Sequence, residues 1–199
     1  MGLFKHYGGM IGSLKLGWFW NALSKKEKGI ICEYSIDSSG LTPIEGEPGW
    51  TSASQLSYLL TFLLYATSRQ DYGLAERLIM LCNRADGSIL DKHFFYTSAG
   101  DCYYNQAYKD HRMYKRAEVY YIQDVKAFPK YRDDLFNLGG GQMPYVRSFQ
   151  RLSNCYEMTG KIEKAIDVCK AALDYGLYMK DTTEQGYQER INRLLKKMN

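Results

Sequence analysis

From residue 51 onward, apolar residues recur every three or four positions, and this spacing limits the chain to a few kinds of fold. The clearest stretch contains Leu56, Leu59, Leu60, Leu63 and Leu64, which share one wide face of a helix. A half-buried strand would instead alternate apolar and polar residues, and we find no credible strand in the sequence. The pattern therefore predicts an all-α fold of antiparallel helical hairpins.

Capping residues and turn formers divide this region into helices. Asp71 is suited to cap the second helix, which Asp86 and Gly87 are expected to end. Because a proline lacks the N–H that a helix interior needs, Pro129 is predicted to close the fourth helix and Pro144 to lie in the first turn of the fifth. The other predicted segments are helices over residues 91–108, 113–128, 144–160 and 162–175, a loop over 130–143, and a C-terminal helix starting at a capping box over 182–185.

The first 17 residues hold five glycines and are predicted to form an arm rather than a packed element. Three alternatives remain open for its apolar side chains: a cap on the rest of the fold, a contact with a partner or a second copy, and a contact with a membrane surface. Ser24 and Glu27 are spaced as a capping box, and turn formers fill residues 37–50. We expect residues 1–50 to pack on a repeat region over 51–199, the two forming one domain.

A repeat-like pattern occupies residues 146–177. Its first helix carries Phe149, Leu152, Ser153 and Tyr156, and its second carries Ala165, Cys169 and Ala172. Small residues at Ser153 and Ala165 let two antiparallel helices cross closely, while the aromatic side chains fill the space between hairpins. This arrangement closely resembles the tetratricopeptide repeat (TPR).

Two weaker copies align on Ala117 and Ala75. The copy at Ala117 includes Tyr104, Asn105, Tyr108, Tyr121 and Pro129, and the copy at Ala75 includes Phe62, Leu63, Ala66, Ile79 and Cys82. Successive aligned alanines are 42 and 48 residues apart, longer than the family's period of 34. The resemblance implies a right-handed superhelix with N- and C-terminal capping helices and a concave groove that binds peptides or helices of other proteins.

The resemblance also assigns groove positions. They are Arg147, Gln150, Arg151, Asn154 and Glu157 in the third copy, with Tyr103 and Gln106 in the second. Arg147 and Arg151 are four residues apart on one helix face, and a pair of guanidinium groups suits an anion. The full carboxylate clamp of chaperone adaptors is absent, because Leu60, Leu64 and Tyr103 stand where it needs lysine or asparagine. Three interpretations of Arg147 and Arg151 are possible: a carboxylate clamp of this kind, a site for a different anionic or acidic peptide, and arginines that only face solvent.

A run of tyrosines follows the same two helices: Tyr103, Tyr104, Tyr108, Tyr114, Tyr120 and Tyr121. Core packing between hairpins is the main interpretation, because a buried tyrosine contributes apolar area and one hydrogen bond. Groove anchoring is the alternative, because tyrosine and arginine are frequent in binding hot spots.

Composition and spacing argue against several other classes. The 26 basic and 22 acidic residues give a net charge of +4, too small and dispersed for a nucleic-acid binder. The five cysteines and three histidines lack metal-ligand spacing, so no metal and no cofactor is expected. The longest apolar run, 56–66, is too short to cross a membrane. Unpaired cysteines are typical of a reducing compartment, which predicts a cytoplasmic protein.

Evidence for catalysis is weak. Cys102 with His93 or His111 offers a nucleophile and a base, but no orienting group or oxyanion donor is evident. The glycines at 139–141 lack the lysine of a phosphate loop. We therefore expect a non-enzymatic module that binds a protein or an acidic peptide, with self-association through the N-terminal arm left open. A small-ligand or signalling-peptide sensor on the same helices is the alternative, and an enzyme is a weaker one.

Overall fold

The computed structural model describes residues 7–179 and 186–198. Within these ranges the regular secondary structure is α-helical throughout, which confirms the predicted all-α class. The described helices are α1 (Gly9–Ser13), α2 (Gly17–Ala22), α3 (Lys25–Ser39), α4 (Gln55–Ser68), α5 (Tyr72–Cys82), α6 (Ile89–Tyr104), α7 (Met113–Leu138), α8 (Arg147–Met158), α9 (Ile162–Asp174) and α10 (Tyr187–Lys196).

The chain divides into two compact units, residues 1–91 (unit 1) and 92–199 (unit 2). Unit 1 contains α1 to α5. Unit 2 contains α7 to α10 and α6 from residue 92 onward. The division into residues 1–50 and 51–199 within one domain stays a prediction.

Capping residues begin the helices of unit 1 as predicted. The Ser24 hydroxyl accepts a hydrogen bond from the Glu27 N–H at 3.2 Å, and the Glu27 carboxylate accepts one from the Ser24 N–H at 2.6 Å. Asp71 accepts from the Leu74 N–H and caps α5. These bonds satisfy N–H groups that a helix start would otherwise leave unpaired. They fix the ends of helices whose apolar faces form the core.

The prediction of an unpacked N-terminal arm is wrong for residues 7–17. They form α1 and the approach to α2, and Ile11 and Leu16 are fully buried. The Gly9 N–H donates to the Gly46 carbonyl at 2.7 Å, and a Cβ on Gly8 would lie 2.4 Å from that same oxygen. Several of these glycines are therefore needed for close backbone contact with the loop after α3, and not for flexibility.

In unit 2, α8 and α9 form the hairpin that the repeat pattern predicted. Ser153 and Ala165 are fully buried, and the Ser153 hydroxyl donates to the Ala165 carbonyl at 3.2 Å. On the other side of α8, the Phe149 ring packs against Phe128 of α7 and Tyr175, with centroids 5.4 and 6.1 Å away. The small and aromatic residues thus occupy the roles assigned from the sequence.

The predicted contact between α6 and α7 lies at a different residue. The alignment put Asn105 at the close-approach position, but Asn105 is exposed and follows the end of α6. The close approach is at Gly100, where an added Cβ would lie 2.4 Å from the Tyr121 ring. Gly100 comes before Asn105 in the chain. The segment between the close-approach residue of α6 and Ala117 of α7 is therefore longer than the alignment assumed.

Helix α7 continues through Pro129 to Leu138. The predictions that Pro129 closes this helix and that residues 130–138 are a loop are therefore wrong. Phe128, Tyr131 and Leu135 are buried and continue the apolar stripe past the proline, while Pro129 itself faces solvent. Burial on one face offsets the missing hydrogen bond on the other.

Pro144 also lies outside a helix, because α8 begins three residues later at Arg147. The C-terminal helix exists as α10, whereas its predicted capping box over 182–185 lies outside the described residues. All five cysteines are described and none forms a disulfide. Four of them are buried, and only Cys32 is partly accessible.

Candidate functional site

Three polar side chains project from one face of α8 toward α6. They are Arg147, Arg151 and Asn154, one turn apart along the helix. The Arg147 guanidinium donates to the Asp101 carboxylate at 2.7 Å. About half of the Arg147 side chain (51%) stays exposed, against 17% for Asp101. The Arg147 guanidinium is therefore held on one side by Asp101, while about half of the side chain stays open to solvent.

Tyr104 of α6 organises the other two residues of this face. The Arg151 guanidinium lies over the Tyr104 ring, 4.1 Å from its centroid, a cation–π arrangement. The Asn154 amide donates to the Tyr104 hydroxyl at 3.1 Å. We call Arg147, Arg151, Asn154, Asp101 and Tyr104 the arginine face.

The buried phenol of Tyr121 holds the Asp101 carboxylate of the arginine face in position. The Tyr121 hydroxyl donates to the second oxygen of Asp101 at 2.6 Å. Burial, reinforced by the charge of Asp101, raises the pKa of Tyr121 well above its ordinary value, so it remains a protonated donor. Asp101 is thereby fixed by α7 while it holds Arg147.

Aromatic side chains border the arginine face. Tyr114 packs edge-on to Tyr104 with centroids 5.5 Å apart, and His111 packs against Tyr114 at 4.9 Å. Tyr108 follows α6 and is 74% exposed, so core packing does not account for it. The combination of arginine and half-exposed tyrosine is frequent in binding hot spots.

The other sequence-predicted groove residues lie elsewhere. Gln150 is buried and accepts a short hydrogen bond from the Tyr145 hydroxyl. Tyr103 is 4% exposed and stacks on Tyr120 with centroids 5.8 Å apart. Gln106 follows α6, and its side-chain amide donates to the Cys102 carbonyl of that helix. The structure thus brings together Arg147, Arg151 and Asn154, and it does not bring Gln150, Tyr103 or Gln106 to the same surface.

Glu157 was also assigned to the groove, but its carboxylate is bound by side chains on and just after α10. Its carboxylate accepts from Arg190, Arg193 and Lys197 at 2.7, 2.5 and 2.6 Å. Hydrogen bonding from Arg193, together with the other cations, lowers the pKa of Glu157 to about 2. We call these four residues the Glu157 cluster. Its carboxylate binds the C-terminal helix and is not available to a partner.

A buried polar cluster in unit 2 was missed in the sequence. Asp124 of α7 is fully buried and lies 2.8 Å from His93 Nδ1. It also accepts from the Tyr131 hydroxyl at 3.0 Å and from Thr97 at 3.4 Å. One sequence feature could have predicted the cluster: Asp124 stands at a core position of the apolar stripe on α7. A buried carboxylate must find hydrogen-bond partners inside the fold.

This cluster bears on the weak catalytic alternative. His93 pairs with Asp124, and Cys102 is nine residues further along the same helix, about 13 Å away at 1.5 Å per residue. The Cys102 side chain is fully buried. His93 and Cys102 therefore do not form a nucleophile–base pair.

Comparisons with known proteins identify an uncharacterized relative of similar length. No family model and no solved structure matches the chain. An uncharacterized protein of Aquifex aeolicus (strain VF5) is 25% identical over 205 residues, covering 98% of this chain and 96% of that protein. The similarity therefore extends through both units. Across 7–179 and 186–198, every helix lacks the length or apolar character needed to cross a membrane.

Proposed function

We propose that this chain is a non-enzymatic, TPR-like helical-repeat protein whose arginine face binds an acidic segment of a partner protein. The observation that carries the proposal is the Arg147–Arg151 pair, held one helical turn apart on α8 by Asp101 and Tyr104. Side chains already fixed by neighbours lose less conformational freedom on binding.

Charge on the arginine face suits a carboxylate ligand. Two guanidinium groups face one carboxylate, Asp101, so the face keeps an excess of positive charge. Arg147 is half exposed and retains N–H groups for bidentate hydrogen bonds to an incoming carboxylate. Tyr104, Tyr114 and His111 offer an aromatic border for apolar residues of the same peptide.

The hairpin geometry supports the TPR-like part of the proposal. Ser153 against Ala165 and Gly100 against Tyr121 are small-residue crossings of the kind that such repeats use. A cytoplasmic location belongs to the same proposal, and five cysteines that form no disulfide support it.

The test begins with photo-crosslinking to find a partner. A benzophenone amino acid at the exposed His111 position, which borders the arginine face through Tyr114, captures proteins bound there in a lysate of the source cell. The affinity of an acidic peptide from the captured partner is then measured by fluorescence anisotropy for wild type and for Arg147→Gln/Arg151→Gln. We expect the double variant to bind about tenfold more weakly or worse, because each charged hydrogen bond contributes about 1.5–3 kcal/mol.

Lys126→Gln/Lys130→Gln is the matched control. These lysines are exposed on α7 with the same four-residue spacing, so the variant removes the same charge from another face. It should bind within about twofold of wild type. Equal affinity of all three proteins would contradict the proposal, as would equal losses in both variants, which would indicate a non-specific charge effect.

A further inference from the structure

Unit 1 contains a cavity of about 530 Å³. Its walls come from α1, the end of α3, the loop over residues 40–54 and the first half of α4. This volume lies within the range of small-molecule sites, which is about 300–1,000 Å³.

Specific hydrogen bonds hold the walls in place. The Ser35 hydroxyl donates to the Leu41 carbonyl at 2.7 Å, which ties the loop to α3. The Ser13 hydroxyl accepts from the Gly49 N–H at 2.9 Å, and the Gly9 N–H donates to the Gly46 carbonyl at 2.7 Å, which tie the loop to α1. The cavity therefore exists before any ligand enters, and little ordering would be required for binding.

Aromatic side chains line this cavity. Phe62 and Tyr58 of α4 pack edge-on at 5.1 Å and contribute to its wall. Trp50 also contributes to the lining, yet its side chain is 91% exposed. An aromatic ring of this size normally contributes stability when it is buried. The exposed indole therefore leaves apolar surface that a ligand could cover.

The Tyr58 hydroxyl lies inside the wall, where it has almost no accessible surface. It is buried without a well-formed hydrogen bond among the described residues. Burial raises the pKa of Tyr58 to about 12, although the nearby Ser35 hydroxyl acts in the opposite direction. The phenol therefore stays neutral, and Tyr58 contributes its ring to the lining.

The charged lining residues are all acidic. Glu45 and Glu47 contribute carboxylates, and the described residues around the cavity include no lysine or arginine. The chain as a whole carries a net charge of +4, so the charge of this lining is opposite in sign to the net charge of the chain. Glu45 also accepts a hydrogen bond from the Thr42 N–H at 3.1 Å, which holds it on the loop.

We propose that this cavity binds a small organic cation, an ammonium group carried on an aromatic or branched alkyl body. Trp50, Tyr58 and Phe62 line the cavity, and aromatic rings attract a cation through their quadrupoles, with tryptophan the strongest. The two glutamates add an attraction that a neutral ligand lacks and that an anion experiences as repulsion. The cavity lies in unit 1, so it is independent of the arginine face.

Titration calorimetry with benzyltrimethylammonium tests the assignment. Benzyl alcohol and phenylmethanesulfonate serve as the neutral and anionic probes. We expect saturable binding of the cation below about 10 mM, with both other probes at least tenfold weaker. The variants Trp50→Ala and Glu45→Gln/Glu47→Gln should each weaken cation binding about fivefold to tenfold, whereas Trp50→Phe should retain most of it.

Glu33→Gln/Asp86→Asn is the matched control, because both groups are exposed in unit 1 and neither lines the cavity. Circular dichroism of each variant checks that the helices are retained. Binding of benzyl alcohol as tight as that of the cation would overturn the proposal. So would equal cation affinity of wild type and Glu45→Gln/Glu47→Gln, or the absence of saturable cation binding to the folded wild type. A partner protein captured at Trp50 without any cation binding would assign the exposed indole to an interface instead.

Discussion

Gly100 lies in the last third of α6, at a position where a side chain has no room. Its Cα faces the Tyr121 ring so closely that a Cβ would lie 2.4 Å from a ring carbon. The same ring is fully buried and its hydroxyl is bonded to Asp101, so it cannot move aside without disturbing the arginine face. A glycine at this position reduces the helix propensity of α6 but permits the contact with α7.

Gly100→Ala should therefore destabilise the protein by up to about 2 kcal/mol. The substitution gains about 1 kcal/mol of helix propensity, but overpacking typically costs about 1–3 kcal/mol and displaces Tyr121. Urea unfolding followed by circular dichroism measures the difference.

Gly29→Ala provides the contrast at the same scale. Gly29 lies in α3, is exposed, and an added Cβ would meet nothing within 4 Å. This variant should stabilise the protein by about 0.5–1 kcal/mol. A stabilising Gly100→Ala would mean that Tyr121 relaxes easily, and it would weaken the argument that α6 and α7 are fixed at this contact.

At the scale of the element, α7 shows how burial decides where a helix ends. Local chemistry predicts a stop at Pro129, whose ring removes one backbone hydrogen bond. The buried positions Asp124, Phe128, Tyr131 and Leu135 nevertheless continue at helical spacing. A sequence rule that weighs the proline alone misses these residues, because their burial depends on helices that are distant in the sequence.

Pro129→Ala should stabilise α7. The alanine restores an N–H donor on the exposed side of the helix, and we expect a gain of about 1 kcal/mol, less than the full helix-interior cost of proline, about 3 kcal/mol. Hydrogen exchange of amides in residues 125–135 measures the added protection. Lys130→Ala, an exposed change next to it, should stay within about 0.5 kcal/mol of wild type. A loss of protection in Pro129→Ala would show that the packing of Tyr131 depends on the proline.

Some elements were predictable because their signals are local. Ser24 with Glu27, Asp71, and Ser153 with Ala165 each depend on neighbouring residues or on one hairpin, and the structure confirms them. The partners of Glu157 were not predictable, because its three cations lie more than 30 residues away. The arginine face was half predictable: the spacing of Arg147 and Arg151 was visible, but Asp101 and Tyr104 depend on how α6 lies against α8.

At the scale of the whole molecule, acid stability should depend on the Glu157 cluster. The folded protein lowers the pKa of Glu157 to about 2 from an ordinary value of 4.5. A lowered carboxyl pKa contributes stability that is present above the unfolded value and is lost as pH falls through the folded one. The stabilisation by this group should therefore disappear between about pH 4.5 and pH 2.

Glu157→Gln tests this dependence. At pH 7 we expect a loss of about 2 kcal/mol or more, because the substitution removes a negative charge that accepts hydrogen bonds from the buried Arg190 and from two further cations. The difference from wild type should shrink as the pH falls from about 5 to 2. Urea unfolding at several pH values gives the curve. Glu163→Gln, an exposed change on α9, should differ from wild type by less than about 0.5 kcal/mol throughout. A pH-independent loss in Glu157→Gln would refute the electrostatic explanation.

The uneven burial of the five cysteines has a practical consequence for labelling chemistry. Cys82, Cys102, Cys155 and Cys169 are at most 1% exposed, whereas Cys32 is partly accessible. Burial raises the pKa of the Cys32 thiol, so its reaction with a maleimide is slow at neutral pH and faster under mildly alkaline conditions. The unaltered chain thus offers one preferred attachment point for a fluorophore or spin label, and that point lies in the same unit as the cavity.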